Sequence, residues 1–192
     1  MVDSGARSAV PSADEAGFRG WAAARLPALR RRAYLLCGDW HLADDLVQDT
    51  LVAVYARWPR LVRQGAPDAF SSRVLVSRFI DERRRPWRRE SPQAAPPDAP
   101  DVRAGRELDA VEPFDRLLAD ALRAVPADQR AVLVLRYADD LAIEEVAALL
   151  ELSVGTVKSR ASRGTQRLRA ELSERGYDVA ADAVALNTGG LR

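Results

Sequence analysis

The clearest chemistry in this 192-residue sequence lies in a cationic stretch near its C-terminal end. Residues 152–172 read LSVGTVKSRASRGTQRLRAEL and carry five basic side chains before their one acid, Glu171. Apolar residues recur every three or four positions, which is typical of a helix with one buried edge. The other edge holds side chains of the types that bind phosphates and base edges of DNA: Thr156, Lys158, Ser159, Ser162, Arg163 and Arg167.

The residues before this stretch predict how it is positioned. Residues 141–150 (LAIEEVAALL) form a short helix with four apolar residues on one face: Ile143, Val146, Ala147 and Leu150. Glu151 and Leu152 form a turn, and Ser153 is a typical N-cap for a second helix. The buried stripe of that helix is predicted to be Val154, Val157, Ala161, Leu168 and Leu172. Two helices joined in this way, the second one basic, make a helix-turn-helix, which we favour over a solvated charged helix.

One residue of this turn departs from the usual pattern. Glu151 stands where helix-turn-helix turns usually carry Gly, because that position often needs a positive φ. We expect Glu151 either to cost about 1 kcal/mol of backbone strain or to impose another turn geometry.

A second candidate surface is acidic. Residues 39–58 (DWHLADDLVQDTLVAVYARW) predict one helix, with an apolar half made of Leu42, Leu46, Val47, Thr50, Leu51, Val54 and Trp58. The other half carries Asp44 and four candidate binding residues: Asp45, Gln48, Asp49 and Val52. Acids near a helix N-terminus also suit the helix dipole, so a purely structural role stays open. An acidic face with an exposed Val indicates a surface for a basic protein partner and excludes DNA.

A third candidate surface is rich in arginine. Residues 73–89 contain seven Arg against Asp81 and Glu82, and residues 68–90 predict a helix with apolar residues nearly all round it. The polar stripes and the C-terminal end of that helix supply the candidates Arg73, Ser77, Arg78, Arg84 and Trp87. Cations beside a Trp that can stack on bases suit single-stranded or melting DNA. Arg complementing a helix C-terminus is the structural alternative.

Composition places these surfaces in an all-α protein, because aromatic residues are only 6% of the chain and β-branched residues are sparse. Five prolines between Pro86 and Pro100 predict a flexible tether between two small helical domains. The predicted plan is a disordered N-terminus (1–16), a helical domain (17–85), a linker (86–112), a helix-turn-helix domain (113–175) and a tail (176–192).

The same sequence argues against several other classes of protein. Cys37 is the single cysteine, so no internal disulfide forms, which fits a reducing compartment. The N-terminus lacks a secretory signal, and the longest apolar run is five residues, 131–135, far too short for a membrane span. We therefore expect a cytoplasmic protein. With one His, His41, and no phosphate-binding Gly motif, we expect no catalytic residue, metal, cofactor or small-molecule substrate.

The order of these segments resembles a known family. An acidic helix (DDLVQDTLVAVYARW), an Arg-rich helix (SRVLVSRFIDERRR), a proline-rich linker, an LPxxQR-like helix (VPADQRAVLVLRY) and LSVGTVKSRASRGTQRLR follow one another. This is similar to bacterial RNA polymerase sigma factors of the extracytoplasmic-function (ECF) group, in their sigma-E-like branch. The resemblance covers about residues 17–172 and implies sigma region 2 and sigma region 4 as the two domains.

The resemblance also implies roles for particular residues. Asp45, Gln48 and Asp49 would face the polymerase clamp helices. Residues 64–68 would form the loop that captures a flipped base of the −10 element, with Arg73, Ser77 and Arg78 nearby. Lys158, Ser159, Ser162 and Arg163 would read the −35 element. Ser77 stands where many members carry Asn, and its shorter side chain puts a hydrogen bond to the flipped base in doubt.

The implied partners are core RNA polymerase and promoter DNA, with an anti-sigma factor as an open further partner. The main alternative is an ordinary helix-turn-helix regulator, which would bind a palindrome as a dimer. A sigma-binding adaptor would need no base-reading helix. Neither alternative gives a role to all three surfaces.

Overall fold

The computed structural model describes residues 13–84 and 113–177, and within these ranges the regular structure is entirely helical. The all-α prediction is therefore confirmed. The predicted linker at 86–112, Trp87 and most of the predicted tail lie outside the described residues. The helices are α1 (Ala13–Cys37), α2 (Trp40–Tyr55), α3 (Trp58–Gln64), α4 (Pro67–Arg84), α5 (Pro113–Arg123), α6 (Ala127–Tyr137), α7 (Ile143–Leu150) and α8 (Val154–Glu174).

Two predicted boundaries were wrong. The helix α1 begins at Ala13, so the last four residues of the predicted disordered N-terminus are helical. Residues 39–58 are not one helix, because α2 ends at Tyr55 and Trp58 begins α3. Pro59 explains the break: inside a continuous helix it could not donate to the carbonyl of Tyr55, and its ring would clash there. At the start of α3 the missing N–H costs nothing.

Helices α1–α4 form what we call the first module, and α2 packs into it through a buried stripe. Its buried residues are Ala43, Leu46, Val47, Thr50 and Val54, much as the apolar half was predicted. Thr50 satisfies its hydroxyl by donating to the Leu46 carbonyl at 2.7 Å. Asp39 caps the helix by accepting from the Leu42 N–H at 2.9 Å. The stripe leaves the acidic side of α2 facing solvent.

Helices α5–α8 form the second module, which contains the predicted helix-turn-helix. Glu151 has φ 55° and ψ 43°, so the turn takes the left-handed geometry and the strained alternative holds. Ser153 caps α8 by accepting from the Thr156 N–H at 3.1 Å, as predicted. Val157 and Leu172 are buried, whereas Val154 is exposed, so its place in the predicted stripe was wrong. It lies in the first turn of α8, before the helix reaches the core.

Gly164 lets α8 lie close to α6. A Cβ on Gly164 would sit 3.1 Å from Cδ1 of Leu133, a contact so tight that the Leu133 side chain would have to shift by a few tenths of an ångström. The sequence pattern gave no sign of this close approach, because it depends on a residue 31 positions earlier.

The two modules share one hydrophobic core. Leu36 and Phe79 of the first module belong to the same buried cluster as Val132 and Leu135 of the second. The terminus of α1 is shaped for this contact: Gly38 has φ 70°, and a Cβ there would lie 2.6 Å from Cδ of Arg123. The two sequence segments thus pack as a single folded body.

Arg130 joins the modules at the centre of this core. Its side chain is only 2% exposed, and its Nη1 donates to the Leu36 carbonyl at 2.6 Å. Its Nη2 donates to the carbonyls of Arg123 and Val125 at 2.9 and 3.0 Å. Burial lowers the pKa of Arg130 to about 10, so the buried group stays charged at neutral pH. The sequence around Arg130 gives no indication of this role.

Among the described residues, two ion pairs whose carboxylates are largely buried also connect the modules. Arg31 forms a bidentate pair with Asp115, both contacts at 2.6 Å. Arg32 pairs with Asp139 at 2.6 Å in a more buried setting, where the Asp139 side chain is 6% exposed. Burial raises the pKa of Asp139, while the charge of Arg32 acts in the opposite direction. A buried pair of this kind fixes an arrangement more than it adds net stability.

We predict that Arg130→Met destabilises the whole body, because the carbonyls of Leu36, Arg123 and Val125 lose their buried donor. The free energy of unfolding should fall by roughly 2–4 kcal/mol, the cost of unsatisfied buried acceptors. Urea unfolding followed by circular dichroism would measure it. Arg169→Met, at an exposed position of α8, is the matched control. Equal midpoints for the two variants would contradict a structural role for Arg130.

Candidate nucleic-acid and protein-binding surfaces

The first candidate surface, here called the recognition face, runs along α8 opposite its buried edge. Lys158, Ser162, Arg163 and Arg167 are exposed on it, and Thr156 and Ser159 are half-buried. The Arg163 guanidinium contacts the Ser159 hydroxyl one turn earlier. That contact extends the arginine along the helix surface, where it remains accessible to a duplex.

The first turn of α8 gives the recognition face the positive end of a helix dipole. The Thr156 hydroxyl pairs with the Ser153 hydroxyl at 2.8 Å, so Thr156 belongs partly to the cap. Arg160 turns away to Asp128 of α6, with Nε 3.2 Å from the carboxylate. The positive end of the helix dipole and Lys158 together favour an anion at this end of the face.

The second surface, the arginine face, consists of Arg73, Ser77 and Arg78, all exposed on α4. Arg73 contacts Glu151 in the helix-turn-helix turn. Arg78 lies 3.9 Å from Asp49 of α2. The structure therefore brings a predicted DNA residue beside a predicted protein-binding residue. Arg84 is the last residue of α4, and Trp87 is not described.

The segment expected to form the base-capturing loop is short and tied to α1. Gly65 ends α3 with φ 62°, and α4 begins at Pro67. The Asp68 carboxylate accepts from Arg25 Nε and Nη2 at 2.9 and 2.7 Å, and from Trp21 Nε1 at 2.9 Å. Sequence reasoning missed Trp21 and Arg25, since these contacts span more than 40 positions. They fix the Asp68 carboxylate against α1.

The Trp21 ring packs in an aromatic cluster with Phe18 and Trp58. Its ring centroid lies 5.6 Å from that of Trp58, and Phe18 packs on the edge of Trp58 at 5.5 Å. Phe18 and Trp21 pack against the small core formed by Val54, Trp58 and Leu61. The α3–α4 junction is thus positioned from α1 through packing and hydrogen bonds together.

The third surface, the acidic face, is formed by Asp45, Gln48, Asp49 and Val52, which are all exposed on α2. Val52 is 63% exposed, unusual for a large apolar residue. Asp44 differs from its neighbours, because its carboxylate pairs with Arg30 at 2.7 and 3.0 Å. A shallow groove of about 460 Å³ beside Val52 is lined by Leu26, Val47, Gln48 and Leu51, together with the paired Arg30 and Asp44. The apolar part of this groove and the exposed carboxylates of Asp45 and Asp49 on the same helix suit a partner helix that carries basic residues.

The two side chains most suited to acid–base or nucleophilic catalysis, His41 and Cys37, lie in surroundings that do not favour such a role. His41 is exposed. Burial raises the pKa of the Cys37 thiol to about 12, so its nucleophilic thiolate is scarce at neutral pH. Within the described ranges, His, Cys, Asp and Glu do not gather in threes as a metal site would require. Each helix in those ranges is too short or too polar to cross a membrane.

Comparison with known proteins identifies both modules. The family model for sigma-70 region 2 matches residues 21–89, and that for sigma-70 region 4 matches residues 115–168. The RNA polymerase sigma-E factor of Streptomyces avermitilis is 38% identical over 165 residues, covering 85% of this chain and 89% of that protein. The ECF RNA polymerase sigma factor SigE of Mycolicibacterium smegmatis is 35% identical over 160 residues, covering 80% and 60%.

Solved structures agree with these relatives. The sigma factor RpoE from Bartonella quintana, in complex with the anti-sigma factor NepR, superposes with a TM-score of 0.60 at 27% identity, covering 82% of this chain and 97% of that one. CnrH, in complex with the cytosolic domain of CnrY, gives a TM-score of 0.57 at 25% identity, covering 85% and 92%.

The tie between Asp68 and α1 makes a prediction about local order. Arg25→Met removes two of the three donors to Asp68, so backbone amides of residues 65–69 should exchange with solvent several-fold faster. The loss of global stability should stay below about 1 kcal/mol, because the pair is exposed. Hydrogen exchange followed by mass spectrometry measures both. Arg60→Met, at an exposed position on nearby α3, is the control, and equal exchange in the two variants would contradict the anchoring role.

Proposed function

The chain belongs to the ECF group of bacterial RNA polymerase sigma factors, and we propose that its three surfaces divide the work of such a factor. The acidic face binds core polymerase, the arginine face meets the −10 element as it melts, and the recognition face reads the −35 element in the major groove. The observation that carries the proposal is the presence of two cationic helix faces and one acidic, partly apolar face on a single folded chain.

The chemistry of each surface suits its role. The exposed Val52 and the carboxylates of Asp45 and Asp49 complement a basic helix pair and would repel nucleic acid. The side chains of Lys158, Ser162 and Arg163 offer the charge and hydrogen bonds that major-groove readout needs. The anchored Asp68 leaves Arg73 and Arg78 as the charges that meet the displaced strand.

Promoter binding requires the modules to separate. The −35 and −10 elements lie about 25 base pairs apart by their numbering, roughly 85 Å of duplex at about 3.4 Å per base pair. A compact body of this size has a radius of gyration of about 14 Å. It cannot place α4 on one element and α8 on the other at once. Core polymerase therefore binds an opened form, in which the contacts of Arg130, Arg31 and Arg32 between modules are broken.

The proposed role also bears on cofactors, cellular location and further protein partners. We assign the chain a binding role with no reaction, cofactor or metal of its own, and place it in the cytoplasm with the polymerase. A protein inhibitor of the anti-sigma type is a fitting further partner, because the neighbour from Bartonella quintana binds one. A plain regulator would leave the acidic face without a function, so that alternative is not favoured.

Two substitutions test the division of labour. Arg163→Ala should weaken promoter binding by about 1–3 kcal/mol and leave polymerase binding intact, because it removes a base-edge or phosphate donor only. Asp45→Arg should do the reverse, since a like charge against a basic surface costs several kcal/mol. Co-purification with core polymerase and gel shifts of the holoenzyme on promoter DNA measure the two effects.

Exposed charges outside the three surfaces supply the controls. Arg169→Ala on α8 and Asp14→Arg in the first turn of α1 should change neither measurement, and all four variants should remain folded. If Arg163→Ala and Asp45→Arg both lost polymerase binding, or if Asp45→Arg lost only DNA binding, the assignment of the surfaces would be wrong.

A further inference from the structure

Two non-glycine residues in the described ranges have a positive φ, Asp140 at 52° and Glu151 at 55°. Asp tolerates the left-handed region better than Glu, because its short side chain can bond locally. Glu151 sits in the helix-turn-helix turn, where Gly would relieve the strain. A strained Glu at such a position indicates that its side chain makes a functional contact outside the turn.

That use lies in the other module. The Glu151 carboxylate contacts the Arg73 guanidinium, so a turn in the second module is joined to α4 in the first. The pair is formed at the surface, with Glu151 70% exposed and Arg73 51% exposed. Asp140 makes no ion pair of this kind within the described ranges, although it shares the strained backbone geometry and the charge.

Arg73 belongs to the arginine face, which the proposed function assigns to the −10 element. A carboxylate and a phosphate present similar paired oxygens to a guanidinium, and Arg binds either one. While Glu151 is in place, Arg73 cannot make its full contact with a DNA strand.

We propose that Glu151 is an intramolecular competitor for DNA, which occupies Arg73 in the closed chain and leaves it when the modules separate. The inference rests on the proposed function for the identity of the ligand at Arg73. The shared hydrophobic core holds the modules together, and the buried contacts of Arg130 and Arg32 fix their arrangement. Glu151 adjusts the balance, because an exposed ion pair changes an equilibrium by only about two- to fivefold.

The chain offers a matched pair of variants. Glu151→Gly and Asp140→Gly each remove one negative charge and one side chain at positive φ from the second module. Only Glu151→Gly also removes the partner of Arg73. Any difference between the two therefore reports the Glu151–Arg73 pair, free of general effects of charge and strain.

The first measurement is the distance between modules in the free full-length chain, by energy transfer between dyes on Arg60→Cys in α3 and Gln166→Cys in α8. Because burial raises the pKa of the Cys37 thiol to about 12, the introduced thiols react first at neutral pH. Glu151→Gly should raise the ratio of open to closed chains about two- to fivefold over Asp140→Gly. The difference should disappear in an Arg73→Ala background and shrink at high salt.

The second measurement is fluorescence anisotropy with a mixed-sequence single-stranded DNA of about 12 nucleotides, a length within the site sizes of single-strand binders. Glu151→Gly should bind this DNA more tightly than Asp140→Gly, again by about two- to fivefold. Equal openness or equal DNA affinity for the two variants would overturn the inference. So would an effect of Glu151→Gly that persists in the Arg73→Ala background.

A third observation separates this inference from the proposed function. If the wild-type chain failed to bind core polymerase, the proposed function would fall, whatever the variants did. If it bound polymerase and supported transcription while Glu151→Gly and Asp140→Gly behaved alike, only the competition at Arg73 would be wrong.

Discussion

The fold depends on one buried guanidinium, that of Arg130, whose hydrogen-bond acceptors in the described part of the chain are all backbone carbonyls. An arginine cannot lose its proton at neutral pH, so Arg130 must be met by acceptors wherever it is buried. The acceptors are three carbonyls: that of Leu36 near the end of α1, that of Arg123 at the end of α5 and that of Val125 between α5 and α6. Through them Arg130 ties the end of α1 to the junction of α5 and α6. The helix-turn-helix then follows, because α7 and α8 pack on α6.

The contacts between the modules bear on how a sigma factor that is compact when free could reach two distant DNA elements. The contacts between modules combine buried apolar side chains with charged groups that can be satisfied in another way. In the opened form proposed above, Arg31, Arg32 and Asp115 would regain water and Arg73 would lose its contact with Glu151. The apolar residues around Leu36, Phe79 and Val132 would have no such alternative. The proposed opening therefore needs a partner that covers them, a role that we assign to core polymerase.

Local patterns in the sequence were sufficient to predict most of the helices and their caps. The stripe of α2, the Asp39-to-Tyr55 helix body, the Ser153 cap and the turn at Glu151 all follow from residues within a few positions of one another. The break before α3 was also readable, since Pro59 forbids a continuous helix, yet the apolar pattern through Trp58 concealed it. The family resemblance supplied the order of the modules and the roles expected of their faces.

Contacts between distant residues could not be obtained from the sequence in this way. The residues around Arg130 give no indication that it donates to the carbonyl of Leu36, 94 positions earlier. The anchoring of Asp68 by Trp21 and Arg25, the pairing of Asp44 with Arg30 and the placement of Glu151 on Arg73 depend on the same long-range packing. Each changes how a surface is understood: Asp44 is paired within the first module, Asp68 is anchored to α1, and Glu151 occupies an arginine that we assign to DNA binding.

Hydroxyl-radical footprinting of a promoter fragment bound by the reconstituted holoenzyme tests whether one chain opens to bind two promoter elements together with polymerase. We expect two protected blocks about 25 base pairs apart, at about 3.4 Å per base pair. Both blocks should require this chain and core polymerase. A pair of half-sites about 10 base pairs apart, protected by the chain without polymerase, is the pattern of a dimeric regulator and would contradict the account.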